Sequence, residues 1–195
     1  MGLHVITGPM RSGKTAELIR LVRQAQAEGR ETRVFVHELG AERDGAQLLS
    51  RNGTSIPATP VASADDIFTA LAQSRDGTLV AIDEAQFFDP ADMRQLVPSV
   101  LSWGFTIIVA GLDTDFRAML FPAMTCALAM ADSVSLLEAI CARCGAPATR
   151  TQRLIDGKPA PWDSPVIMPG GDDMYEPRCV TCHEVPGRPG VSGRG

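Results

Sequence analysis

The run Gly8-Pro9-Met10-Arg11-Ser12-Gly13-Lys14-Thr15 has the spacing G-x-x-x-x-G-K-[ST]. Backbone N–H groups in such a loop face inward and cradle phosphate oxygens, and a helix starting at its end adds positive dipole. Lys14 would bridge the β- and γ-phosphates of a nucleoside triphosphate, and Thr15 would ligate Mg²⁺ through its hydroxyl. A second run, Leu79-Val80-Ala81-Ile82-Asp83-Glu84, is apolar and ends in two acids. Asp83 falls where a carboxylate holds Mg²⁺, directly or through water. Glu84 falls one residue further on, where a carboxylate can take the proton of an attacking hydroxyl or water.

Cys141-Ala-Arg-Cys144 and Cys179-Val-Thr-Cys182 are two C-x₂-C pairs separated by 34 residues. Together they suit a tetrahedral Cys₄ zinc site. The gap exceeds the roughly 15–20 residues of a compact zinc ribbon, so the metal is expected to staple the base of a long loop. A redox pair is the rival reading, and four unligated thiols the plain one. His183 could compete as a ligand, but Cys182 keeps the x₂ spacing. Cys126 stands in an Ala/Met-rich stretch and reads as a buried core thiol. Trp103 is expected to pack the end of a helix, and Trp162, His4 and His37 enter no motif.

These residues need elements to position them. Residues 3–7 form a short apolar run that meets Gly8-Pro9. Residues 14–28 carry apolar side chains at Ala16, Leu18, Ile19, Val22 and Ala25, a helical stripe ended by Gly29. Strands are expected over 32–37, 78–82, 105–110 and 134–137. Helices are expected over 64–74, capped by Ser63 with Asp65 and Asp66 in the first turn, over 90–103 with a kink at Pro98, and over 122–131. Strands spaced by helices imply an α/β fold with a mainly parallel sheet covered on both faces.

The chain has 195 residues, 45% hydrophobic and 21% charged, with a formal net charge of −5. That is ordinary for a globular protein and argues against a nucleic-acid binder, whose footprint would be basic. Residues 1–7 lack the basic region of a signal peptide, and no apolar run approaches the ~20 residues that span a bilayer. The location read from this is cytoplasmic, without a membrane partner. Residues 1–138 read as a P-loop α/β nucleotide-binding domain. Residues 139–183 hold four of the five cysteines around a Gly/Pro-rich middle and read as a zinc-binding lid. Residues 184–195, rich in Gly, Pro, Ser and Arg, read as a disordered tail.

The motifs together resemble those of the zinc-containing (type II) thymidine kinases. The matching residues are Gly8-Pro9-Met10 leading into Ser12-Gly13-Lys14-Thr15 and Glu17-Leu18; Asp83-Glu84-Ala85-Gln86-Phe87-Phe88; Gly111-Leu112-Asp113 with Phe116-Arg117 and Phe121; Cys141-x-x-Cys144 followed by Ala148, Thr151 and Arg153; and Gly170-Gly171-x-x-x-Tyr175-x-x-x-Cys179-x-x-Cys182. The resemblance implies a P-loop NTPase-type fold with a small zinc-binding lasso. It also implies ATP-dependent phosphorylation of the 5′-hydroxyl of thymidine, with Mg²⁺ accompanying ATP and with structural Zn²⁺. By the same resemblance Glu84 is the general base. Phe87 stacks near the thymine, and Met10, Leu112, Phe116 and Phe121 shape the nucleoside pocket. Arg117 lies near the reacting groups, and Thr151 and Tyr175 fall on the lasso's binding positions. Homotetramers and inhibition by the end-product triphosphate are further implied.

The chain departs from the family pattern in places. No Asp-x-Arg follows the second strand, where Glu42-Arg43-Asp44 stands instead. Ser50-Arg51-Asn52-Gly53 replaces Ser-His-x-Gly, and Arg11 occupies a P-loop position where an aromatic is common. Two rival functions accompany the kinase reading: a P-loop ATPase acting on a macromolecule, and a non-catalytic zinc-binding relative.

Overall fold

The computed structural model describes residues 2–167 and 174–190, without the side chains of residues 42–44. Gly170-Gly171 of the lasso motif, the side chains of Glu42-Arg43-Asp44, and residues 191–195 of the expected tail therefore lie outside the described residues.

Six parallel strands form the central sheet. In chain order they are β1 (Gly2–Thr7), β2 (Thr32–His37), β5 (Thr59–Val61), β6 (Leu79–Asp83), β7 (Thr106–Gly111) and β8 (Ser133–Leu136). Their spatial order is β5-β2-β6-β7-β1-β8. The inner strands are apolar on both faces because both faces are covered. Alternate residues point to opposite sides. Val80 and Ile82 of β6 and Ile107 and Val109 of β7 enter one core with α3 (Ala64–Leu71), α4 (Pro90–Ser102) and α5 (Pro122–Met130). Leu79 and Ala81, with Ile108 and Ala110, enter the other with α1 (Lys14–Ala27).

The local signals for the helices operate as expected. Ser63 and Asp66 close a reciprocal capping box on α3, which ends at Leu71 rather than 74. Asp89 caps α4, whose Pro90 sits at the first turn, and α4 continues through Pro98 to Ser102. Trp103 caps that helix end and packs edge-on against Phe68 and Phe105, with ring centroids 5.4 and 6.1 Å away. Cys126 is half-buried rather than fully buried. It packs against the first core, with an Arg94 guanidinium nitrogen 3.7 Å from its sulfur.

Between β2 and α3 the chain is richer than its sequence suggests. It forms α2 (Glu38–Asp44), then the hairpin of β3 (Gln47–Leu49) with β4 (Ser55–Pro57), before β5 joins the sheet. Pro60 is tolerated in β5 because that strand is a sheet edge, where one side needs no ladder donors.

After β8 the strands are short and antiparallel. β9 (Ala139–Ile140) pairs with β10 (Pro147–Ala148), and β11 (Arg150–Ile155) pairs with both β12 (Lys158–Pro159) and β13 (Tyr175–Arg178). Among the described residues the buried apolar cluster here consists of Ala139, Cys141 and Ala148, with Cys179 and Cys182 against it. Residues 184–188, expected to be disordered, are held in place. Gln152 exchanges two hydrogen bonds with the Glu184 backbone, at 2.9 Å each, and Glu184 pairs with Arg143. The Trp162 backbone N–H donates to the Pro186 carbonyl at 2.8 Å, and the Arg188 guanidinium lies 5.5 Å from the Trp162 ring centre.

Candidate active site

Three chain segments meet at the carboxyl edge of the sheet, the side on which parallel α/β sheets bind ligands. Residues 8–15 follow β1 and lead into α1, as expected. Lys14 Nζ donates to the carbonyls of Gly8 and Pro9 at 3.1 and 2.8 Å. Burial pulls its pKa below the usual lysine range, against the opposing pull of the Glu84, Asp83 and Asp113 carboxylates. Gly13 caps α1 in a left-handed conformation, and Arg11 is exposed, with φ 64°.

The Thr15 hydroxyl donates to Asp83 Oδ2 at 2.8 Å, joining the loop to the end of β6. The two hard oxygen donors side by side suit Mg²⁺. Asp83 is buried, and its pKa is pushed up to about 6 by burial and by the neighbouring Glu84 carboxylate. Hydrogen bonds from Thr15 and the Glu84 N–H act in the opposite direction. Glu84 follows with φ 55°, a left-handed conformation that a glutamate adopts only under local constraint. Thr15, Asp83 and Glu84 border a narrow cleft together with Gly40 and the β3 residues.

The 3₁₀ turn Ala85–Phe87 follows Glu84. Gln86 is buried within it; its amide donates to Glu84 Oε2 at 2.5 Å and accepts the Leu112 N–H at 3.1 Å. Phe87 is half-buried, 5.8 Å from the His37 ring, while Phe88 meets that ring edge-on at 4.8 Å. His37 Nδ1 accepts the Leu39 N–H and so caps α2. Burial holds its pKa below the ordinary histidine value.

The third segment unites the residues after β7 with the antiparallel part. Thr151 on β11 is buried, and its hydroxyl accepts the Met10 N–H at 3.0 Å. Arg153 lies opposite Tyr175 in the β11–β13 register, which puts its guanidinium 5.9 Å from the Tyr175 ring and 5.5 Å from that of Phe116. Arg117 pairs with Asp115 at 2.7 Å and lies 5.7 Å from the Phe116 ring and 5.2 Å from Trp162. His183 Nε2 meets the Phe116 carbonyl at 2.8 Å, tying the last cysteine pair to this loop. Phe121 caps α5 and packs, partly buried, against the first core.

The structure thus brings Met10, Phe116, Arg117, Thr151 and Tyr175 into one contact network. It joins Leu112 to Glu84 through Gln86 and leaves Phe87 on the His37 side. Gln86, His37 and Trp162 carry contacts that the motifs did not assign. The donor–acceptor character of a glutamine two residues after Glu84 is the one available signal.

The four paired cysteines converge. Their sulfurs all lie within 4.8 Å of one another, with Cys144 and Cys179 3.7 Å apart. Zn–S bonds of ~2.3 Å in a tetrahedron place sulfurs about 3.8 Å apart, so the set fits zinc. Desolvation opposes ionisation of Cys141, but the N–H groups of Cys179, Arg143 and Cys144 prevail and bring it down to about 6. Cys182 is pushed up to about 12, chiefly by its hydrogen bond with Cys179. Among the described residues no helix is long and apolar enough to cross a membrane.

A family model described as thymidine kinase matches residues 1–183. Thymidine kinases from two strains of Chloroflexus aurantiacus are each 48% identical over 184 residues, covering 93% of this chain and 94% of the relative. Among solved structures, the ATPase domain of G40P is similar with a TM-score of 0.50 at 14% identity, over 69% of this chain and 68% of that one. At that identity the likeness concerns the fold alone.

Proposed function

The chain belongs to the thymidine kinase family and has thymidine kinase function, and from that premise we propose an ATP-dependent transfer of the γ-phosphoryl group to the 5′-hydroxyl of thymidine. The observation that supports this most directly is the adjacency at the end of β6. Asp83 is bonded to the P-loop threonine, and Glu84 is the next residue.

In this reading residues 8–15 wrap the phosphates with their N–H groups, and Lys14 exchanges its loop carbonyls for phosphate oxygens. Thr15 and Asp83 would hold Mg²⁺, which supplies charge neutralisation at the phosphoryl oxygens when bound. Glu84 accepts the proton of the 5′-hydroxyl. Met10, Phe87, Leu112, Phe116, Phe121, Thr151 and Tyr175 bind the nucleoside, and Arg117 steadies charge near the transferred group. Cys141, Cys144, Cys179 and Cys182 would hold structural Zn²⁺. Ordering a long Gly/Pro-rich loop costs entropy, and clamping its ends reduces that cost.

The domain reading keeps residues 1–138 for phosphate handling and 139–183 for the lasso. A cytoplasmic location suits paired thiols meant for metal rather than disulfides. The homotetramer remains what the resemblance implies, and sedimentation equilibrium measures it.

A coupled assay of zinc-loaded protein with ATP and thymidine, deoxyuridine, deoxycytidine and deoxyguanosine tests the reading. Thymidine is expected to be the best substrate, and no turnover with any of the four rejects the proposal. Glu84→Gln is expected to lower kcat by about 10²–10⁴-fold while thymidine binding persists.

A further inference from the structure

We propose that Gln86 is the positioning residue for Glu84 and fixes the direction from which its carboxylate meets the 5′-hydroxyl. The proposal rests on Glu84 being the general base.

Four observations converge on this pair. The Gln86 amide donates to Glu84 Oε2 at 2.5 Å, and its carbonyl accepts the Leu112 N–H at 3.1 Å. A glutamine amide has a donor end and an acceptor end, and a backbone N–H can satisfy only the acceptor. Leu112 therefore decides which way the amide faces, and the NH₂ must point at Glu84. Gln86 is 5% exposed, so water does not compete for either bond. Its seat exists because residue 111 is glycine: a Cβ there would lie 2.8 Å from Gln86 Oε1 and 3.1 Å from its backbone nitrogen.

The other flank of Glu84 is closed as well. A Cβ on Gly40 of α2 would come within 2.6 Å of Glu84 Cγ, so the carboxylate's stem rests against that helix backbone. Pressed from α2 and tethered by Gln86, the side chain has one direction left. The tether holds the carboxylate at Oε2. Its far end lies at Leu112, on the loop that begins the nucleoside pocket, so base and pocket share one anchor. A catalytic group held within a fraction of an ångström of its target contributes much of the rate that positioning supplies, and ~1 Å of misplacement can cost about 10²-fold.

Steady-state kinetics of the full-length, zinc-loaded protein test this. Gln86→Met keeps the length and removes both bonds. It is expected to lower kcat about 10- to 50-fold and leave the thymidine KM within about twofold. In a Glu84→Asp background the shortened carboxylate is beyond the tether, and adding Gln86→Met is expected to change kcat by less than about twofold. A residue that merely packs would cost the same in both backgrounds, and that result overturns the proposal. So does a Gln86→Met kcat within about threefold of the parent. If Gln86→Met does not fold, Gln86→Glu takes its place: it keeps the acceptor for Leu112 and loses the donor to Glu84, with the same kcat loss expected and an unchanged kcat decisive against. Glu84→Gln measured alongside separates the two ideas. Full turnover in that variant rejects the base itself, whereas an inactive Glu84→Gln with an unaffected Gln86→Met rejects only the tether.

Discussion

The Met10 amide and the Thr151 hydroxyl, 141 residues apart in sequence, share a hydrogen bond of 3.0 Å. The loop assigned to phosphate thereby touches the strand assigned to the nucleoside lid, and ordering either one favours the other. Thr151→Val keeps the branched shape and removes the acceptor. Since one hydrogen bond contributes about 1 kcal/mol, the thymidine KM is expected to rise about fivefold. The thermal shift from ATP and thymidine together should fall toward the sum of the separate shifts. Thr151→Ser should restore both. Undiminished synergy in the valine variant would show that the contact is incidental.

The four-cysteine cluster stands almost without a hydrophobic core of its own, so bound zinc would supply what packing does not. Chelation or Cys179→Ser is expected to raise the thymidine KM about tenfold or more before the six-stranded core melts. Calorimetry should then show two transitions in place of one. A single collapse of the whole fold on zinc removal would mean that the metal supports the sheet too.

His37 links stability to pH. Burial lowers its pKa, and its neutral Nδ1 is the cap of α2. The unfolded chain binds the extra proton more readily, so stability is full above the unfolded value of about 6.5 and falls as pH drops through the folded one. Burial lowers His4 and His183 as well, and they act with the same sign. His37→Asn keeps a capping oxygen and removes the titration. Between pH 7 and pH 5 its Tm is expected to fall about 2 °C less than the parent's. An identical slope would place the acid sensitivity elsewhere.

Two guanidinium groups, those of Arg117 and Arg188, lie 5.2 and 5.5 Å from the centre of the Trp162 ring. Each such contact is worth about 0.5–2 kcal/mol. Trp162→Ala is expected to raise the thymidine KM about 3- to 10-fold and to speed thermolysin cleavage beside the exposed Ile167. Trp162→Phe should lose less of both. Equal loss in the two variants would point to volume rather than to the π face.

Much of this architecture could be read from residue order. The P-loop, the paired acids and the cysteine spacing are local patterns, and the inner strands announce themselves because burial on both faces demands unbroken apolar runs. Residues 38–61 were opaque for the opposite reason. α2 has a glycine inside it and no apolar stripe, and β3, β4 and β5 have three residues each, too few for a period. Gln86, His37 and Trp162 escaped because their roles are set by partners far away in sequence or by the end of an element. A polar side chain's partner is a property of the fold, not of its neighbours in the chain.

The stitching of residues 184–188 also governs how this protein can be handled. A boundary drawn at His183, where the family match ends, would strip Gln152, Arg143 and Trp162 of the groups that hold them. An affinity handle or fusion partner belongs beyond Gly190. An expression clone trimmed to the recognisable family region would yield a frayed lid on an intact sheet, and its weakened thymidine affinity would be mistaken for a property of the enzyme.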